Sequence, residues 1–366
     1  MTTGLYIHIP FCKQKCNYCD FASFAGRENL ISAYLEALDK SAAVSPERKY
    51  TTLYVGGGTP SLLTAGQLEE LCGLIARHFC PISAFEESTI EANPESLTAE
   101  KLSVLKRAGF SRISMGLQSF SDTELKTLGR VHTVQTFLSA YRAARQAGFD
   151  NINVDLIAGV PGQKLQSFLD GLKKVATLRP EHLSVYGLQI EEGTPFFERG
   201  IVCDQMLMRR MLEATHTYLQ EAGYHHYEIS NFALPGREAK HNTSYWHNCE
   251  YLGLGSGAAS YLGGVRSQNT DDITDFIARI NAGQSPVVYR EKLEGKEHEG
   301  ENLMLGLRLL DGIELTPLQE QLFGKEIEKH IQNGLLERAE KKVKLTIEGL
   351  FLANEVFYSF VAPFDE

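Results

Sequence analysis

Short apolar runs recur along the chain, each followed by a turn and then by a stretch with helical spacing. The runs cover residues 5–9, 52–55, 88–91, 112–115, 152–157 and 182–186. Between them Leu30, Ile31, Tyr34, Leu35 and Leu38 share one helical face, as do Leu68, Leu71, Cys72 and Ile75, the spacing of an amphipathic helix. Thr64 with Gln67 and Ser121 with Glu124 have capping-box spacing and predict helix starts. Ala108-Gly109-Phe110, Ala147-Gly148-Phe149 and Ala222-Gly223-Tyr224 predict helix ends, because glycine takes the left-handed stop and the aromatic packs back.

Roughly six strand–helix units predict an α/β fold with a parallel sheet and helices outside it. Polar and glycine residues gather directly after the strands: cysteines after Ile9, GGGTPS after Val55, EANP after Ile90, GLQSF after Met115 and GVPGQ after Ile157. In a barrel these positions meet at one mouth, so the expectation is a partial (β/α)6 barrel. Beyond about residue 297 the pattern changes. Leu303, Leu307 and Leu310 form a helical stripe, Val343 and Leu345 alternate with lysines, and 349–360 reads as an apolar helix. Helices around a short hairpin predict a winged-helix-like cap. The expected division is 1–230 for the barrel, 231–295 for a connecting region and 296–366 for the cap, with no structural signal over 283–294.

A formal net charge of -10 over 366 residues argues against a broad nucleic-acid surface. No apolar run is long enough to cross a bilayer and the N-terminus lacks signal-peptide character, so the chain reads as cytosolic. Cys72, Cys80, Cys203 and Cys249 are scattered. Cys12, Cys16 and Cys19 are not. Their CxxxCxxC spacing supplies three thiolates from one loop and leaves one coordination position open. A zinc site closed by His8 or Asp20 is the competing reading.

With those cysteines and the Gly56-Gly57-Gly58-Thr59-Pro60 segment, the sequence resembles the radical S-adenosylmethionine superfamily. The resemblance implies a [4Fe–4S] cluster on Cys12, Cys16 and Cys19, with S-adenosylmethionine chelating the free iron and cleaved there to a deoxyadenosyl radical. Tyr18 matches the aromatic that precedes the last cysteine. YIHIPFC, MGLQSF, LGRVHT and VDLIAGVPGQ narrow the resemblance to the oxygen-independent coproporphyrinogen III oxidase branch. On that match Tyr6, Gly57, Gly58, Thr59, Glu91, Gln118, Arg130 and Asp155 surround S-adenosylmethionine, and the glycines clear its approach path.

The oxidase pattern has a further cysteine where this chain has Phe21. That departure, with His241-Asn242-Thr243-Ser244-Tyr245-Trp246, resembles the heme chaperones of the same branch. The implied partners are heme and acceptor hemoproteins, membrane-associated ones among them. His241, Tyr245 and Trp246 are the expected heme contacts: an imidazole can ligate heme iron, and flat rings suit a porphyrin. The competing reading makes the aromatics barrel packing and His241 a structural hydrogen-bonding group. GLGSGA, at 253–258, also fits a short dinucleotide pattern with Asp271 or Asp272 as the ribose acid, but no βαβ unit begins there. Its glycines are expected instead to admit the adenosine end of S-adenosylmethionine.

Overall fold

The computed structural model describes residues 3–364. The six predicted strands are present, each one to three residues longer than its apolar run: Gly4–Ile9 (β1), Thr52–Gly57 (β2), Glu87–Ala92 (β3), Arg112–Gln118 (β4), Ile152–Ala158 (β5) and His182–Gly187 (β6). Helices Ile31–Ala43 (α1), Ala65–His78 (α2), Ala99–Ala108 (α3), Val134–Gln146 (α4), Leu165–Thr177 (α5) and Gln205–Glu221 (α6) follow them in turn. Thr64 and Gln67 make both bonds of the capping box. Ser121 makes only its own half, because the Glu124 carboxylate accepts from Ser119 and Gln163 instead.

The chain then forms His225–Glu228 (β7), Asn231–Ala233 (β8), Lys240–Trp246 (α7), Tyr251–Leu254 (β9), Ala259–Leu262 (β10), Val265–Asn269 (β11), Ile273–Asn281 (α8) and Val287–Glu291 (β12). The sheet runs β12-β11-β10-β9-β1-β2-β3-β4-β5-β6-β8-β7. β9 lies parallel to β1, so it makes a seventh parallel strand beside the predicted six. Residues 231–295 are therefore part of the sheet rather than a connection: they contribute β8 to β12. β12, in the stretch without a sequence signal, is half-exposed or exposed throughout, and backbone pairing to β11 defines it rather than apolar burial.

Alternation along β1 to β6 separates two faces. Leu5, Ile7, Leu53, Val55, Ile113, Met115, Val154 and Leu183 point out under the helices and form the main core. The inner face is polar: His8, Glu87, Thr89, Arg112, Ser114, Asn153, His182 and Ser184 are all buried there. Strand starts form a floor and strand ends the mouth. At about 3.3 Å per residue, a six-residue strand separates the two by roughly 16 Å.

The C-terminal module contains Gly295–Gly306 (α9), Ile313–Glu314 (β13), Pro317–Gln332 (α10), Leu336–Ala339 (β14) and Lys342–Leu345 (β15), with strand order β13-β15-β14. Its separate core includes Leu303, Phe323, Ile327, Val343, Val356 and Phe360. The apolar helix expected over 349–360 is divided into Ile347–Phe351 and Ala353–Phe357, because Leu352 (φ -118°) leaves the helical region. The module joins the barrel edge by backbone bonds, Ile229 N–H to Arg308 O and Leu310 N–H to Tyr227 O. Among the described residues no helix is long and apolar enough to cross a membrane.

Candidate functional site

The loop after β1 carries the three cysteines, each partly exposed. Phe11–Cys12 pairs in parallel with Phe24–Ala25 and closes the base of the loop. Asn17 fastens its middle: its backbone N–H donates to Leu128 O, its Nδ2 to Thr127 O at 2.8 Å, and its carbonyl accepts from Phe196 N–H. Tyr18 packs on a small apolar cluster of Leu128, Ile157, Val160, Leu188 and Phe196. Cys12 Sγ lies 3.5 Å from Thr59 Oγ1, Cys19 Sγ lies 3.9 Å from Ser23 Oγ, and Arg130 Nη1 donates to Cys16 Sγ at 3.5 Å. Burial pushes the Cys12 and Cys19 thiols above their ordinary value, so they lose protons when a metal takes them.

Among the described residues no three His, Cys, Asp or Glu side chains are gathered tightly enough to hold a single metal ion. A polynuclear cluster makes a different demand, since each thiolate binds a different iron and the sulfurs stand farther apart. Three thiols on one pinned loop, with a guanidinium beside one of them, fit that second demand.

Glu91, at the end of β3, accepts from Tyr54 Oη at 2.7 Å and from Gly57 N–H at 3.1 Å. Burial raises its carboxyl to about 7, against those two hydrogen bonds and with nearby Asp155 adding to the rise. Asp155, on β5, accepts from Asn153 Nδ2 at 2.7 Å and Ser114 Oγ at 3.4 Å; burial raises its carboxyl too. Arg130 Nη2 donates to Asn93 Oδ1 at 2.6 Å and Gly116 O at 3.0 Å, and Asn93 Nδ2 donates to Thr59 Oγ1 at 3.0 Å. Gln118 ends β4 in the left-handed region, φ 68°, beside an irregularity in the β4–β5 register, an unusual backbone state for a side-chain-bearing residue. Tyr6 Oη donates to His8 Nδ1 at 2.9 Å, because His8 Nε2 donates to the Ala22 carbonyl at 2.8 Å and so carries the ring proton. Thus Glu91, Thr59, Gln118, Arg130 and Asp155 share the mouth with the cysteine loop, and Tyr6 supports it from below.

The glycines serve closer packing than expected. A Cβ on Gly57 (φ 110°) would meet the His8 ring at 2.5 Å, and one on Gly58 would meet Phe11 O at 2.8 Å. A Cβ on Gly255 would lie 2.4 Å from Tyr34 Oη. The space these residues vacate is occupied by the protein itself, and Gly255 brings the end of β9 against Tyr34 and the His8 carbonyl of β1.

His241 is the largest departure from expectation. It opens α7 at the floor, fully buried, with Nδ1 2.8 Å from Thr52 Oγ1 and Nε2 2.8 Å from Tyr245 Oη. Its backbone N–H and that of Lys240 donate to the two oxygens of Glu87. Burial, and then Arg112, lower its pKa to about 3, so the ring is neutral. Its ring stacks on Tyr54 at 5.3 Å, and Tyr54 stacks on Tyr6 at 6.2 Å. The motif is thus placed at the opposite end of the barrel from the cysteines, with both imidazole nitrogens occupied. Trp246 packs under Arg308, whose guanidinium carbon is 4.2 Å from the ring centroid.

Sequence reasoning missed Asn93, Tyr54 and Arg112. Arg112 is 2% exposed and its charge acts on Glu91, Asp155, His182 and His241 together. The available signal was parity: residues 112, 114, 116 and 118 share the inner face of β4.

The sequence matches the Radical SAM superfamily over residues 6–175 and the HemN C-terminal domain over residues 293–352. It is 37% identical to the heme chaperone HemW of Bacillus subtilis (strain 168), across 97% of this chain and 98% of that protein. It is 35% identical to the heme chaperone HemW of Escherichia coli (strain K12), across 98% of both. The structure superposes on coproporphyrinogen III oxidase (HemN) from Escherichia coli with a TM-score of 0.87, at 25% identity, covering 99% of this chain and 90% of that one. With relatives this similar along nearly its whole length, and with its strand-end residues and cysteine loop gathered at one barrel mouth, the chain belongs to the heme chaperone HemW family of the radical SAM superfamily.

Proposed function

We propose that this protein binds heme and passes it to acceptor hemoproteins, some of them at membranes, while carrying a [4Fe–4S] cluster and S-adenosylmethionine at the barrel mouth. The observation that carries this reading is full-length similarity to heme chaperones combined with Phe21 at the position of the oxidase cysteine. Phe21 is 64% exposed, so no packing role accounts for an aromatic there. Cys12, Cys16 and Cys19 would hold the cluster, which when bound would supply electron-transfer chemistry at the mouth. Arg130 suits the carboxylate of S-adenosylmethionine and Glu91 its ammonium, through charge-assisted bonds. Asp155 suits ribose hydroxyls. Of the imidazoles in the HNTSYW segment and its margin, His247 is exposed whereas His241 is enclosed, so His247 is the one a porphyrin iron can reach.

The test is anaerobic incubation of cluster-loaded protein with S-adenosylmethionine and coproporphyrinogen III, alongside transfer from heme-loaded protein to an apo-hemoprotein. We expect no decarboxylated product and recovery of acceptor activity. Protoporphyrinogen formation would replace the chaperone with the oxidase reading, and heme retained throughout would replace delivery with storage or sensing.

Glu91 adds a pH-dependent expectation. Between about 4.5, its ordinary value, and about 7, the folded protein keeps a proton that the unfolded chain has lost. Its contribution to stability therefore falls as pH rises through that window, and Glu91→Gln should flatten that part of the melting-temperature profile. If ionised Glu91 receives the ammonium, the spectral response to S-adenosylmethionine should strengthen through pH 7 in the parent. A variant with the parental slope in both measurements would remove Glu91 from this role.

A further inference from the structure

Where the C-terminal module meets the barrel, three buried polar atoms on three different segments lack a hydrogen-bond partner. They are Nε of Arg308, Nε1 of Trp246 and Oε2 of Glu228. The Arg308 guanidinium carbon lies 4.2 Å from the Trp246 ring centroid, and its Nη2 stands 3.9 Å from Glu228 Oε2, beyond hydrogen-bond distance. Glu228 is fully buried; its Oε1 accepts from Ser230 N–H at 2.9 Å, and Asn231 also hydrogen-bonds to the carboxylate. A separated ion pair with orphaned donors is a costly arrangement for a native interior. Two adjacent N–H donors beside a positive charge offer a place for an anionic oxygen.

The Arg308 side chain is 27% exposed. Arg308 stands over the ring of Trp246, the residue that adjoins the exposed His247 in the chain. Its backbone is fixed, since Arg308 O accepts from Ile229 N–H.

We propose that Arg308 and Trp246 anchor a carboxylate of the bound ligand, a propionate of heme. The proposal rests on the heme reading above and adds the group that holds one edge of the porphyrin. The Arg308 guanidinium and Trp246 Nε1–H donate to the propionate oxygens, while Glu228 keeps the guanidinium from turning away when the site is empty.

The experiment titrates the full, cluster-loaded chain with heme and with heme dimethyl ester, which keeps the ring and iron but has no carboxylates. Loss of charge-assisted hydrogen bonds weakens binding by about tenfold or more; the parent should prefer heme to the ester by that factor. Arg308→Ala and Trp246→Phe should bind both ligands at the ester's level, and Arg308→Lys should recover part of the preference. Trp246→Phe keeps the ring and removes only the N–H, so it carries the test if Arg308→Ala folds poorly. Equal binding of heme and ester by the parent would leave the heme reading intact and overturn the anchor, the orphaned atoms then serving a water. Preference retained by the variants would overturn it as well. A loss confined to the S-adenosylmethionine response would assign Arg308 to that cofactor's carboxylate and also end the proposal. If the parent binds neither ligand, the heme reading itself falls and the anchor falls with it.

Discussion

Changing Cys12, Cys16 or Cys19 to serine is expected to abolish the [4Fe–4S] cluster in anaerobically reconstituted protein, read as iron and sulfide per chain and as loss of the broad visible absorption. Each change removes a thiolate from a loop that supplies three, and a hydroxyl is a poor iron ligand beside it. Cys72→Ser is the control. Cys72 is buried on the core side of α2, and its replacement should cost stability without changing iron content. The loop is held by Asn17 and by pairing at its base, so each serine variant should keep its fold while losing the metal. A normal cluster in any one of the three variants would defeat the assignment.

Changing His241 to alanine should destabilise the protein by about 2–4 kcal/mol, the range for a large-to-small core change that also leaves buried polar groups unpaired. The cause is local. Thr52 Oγ1 and Tyr245 Oη would each lose a 2.8 Å partner, and Tyr54 would lose its stacking neighbour. Thermal or denaturant melting reads this directly. The heme band of the folded fraction should keep its parental form, while His247→Ala should alter it. The opposite pattern, parental stability with a lost band in His241→Ala, would make the buried imidazole an iron ligand after all and would require α7 to move when heme binds.

The contrast between these two sites shows what the sequence made legible. Six strands, their helices and the glycine stops were readable because one strand face is continuously apolar and the helices repeat that apolar signal at their own period. The mouth was readable because the residues after β1 to β5 are polar or glycine, which a parallel barrel sends to one end. The floor was not. Glu87, Arg112 and His182 occupy strand starts whose outward neighbours are apolar or small, and partners such as His241 for Glu87 and Asn153 for His182 arrive only with tertiary closure. β9 was hidden for a similar reason: YLGL is only four residues long, and it becomes a strand by pairing with β1. β12 is more exposed still, and only its backbone partner defines it. HNTSYW carried a strong pattern, but a pattern gives residue types and not which end of the barrel they face.

The pairing of β1 with β9 also sets a timetable for synthesis. Gly4–Ile7 cannot complete their hydrogen bonds until Tyr251–Leu254 have left the ribosome, and contacts so distant along the chain form slowly. Until then β1 is an open edge, with unpaired backbone groups available to any passing strand. The cysteine loop hangs from that edge. Its base can pair early, through Phe11–Cys12 and Phe24–Ala25, but Asn17 finds Thr127 and Leu128 later, and Phe196 later still. Metal loading thus belongs after Phe196 has emerged, and nascent chains stalled short of residue 251 should be aggregation-prone.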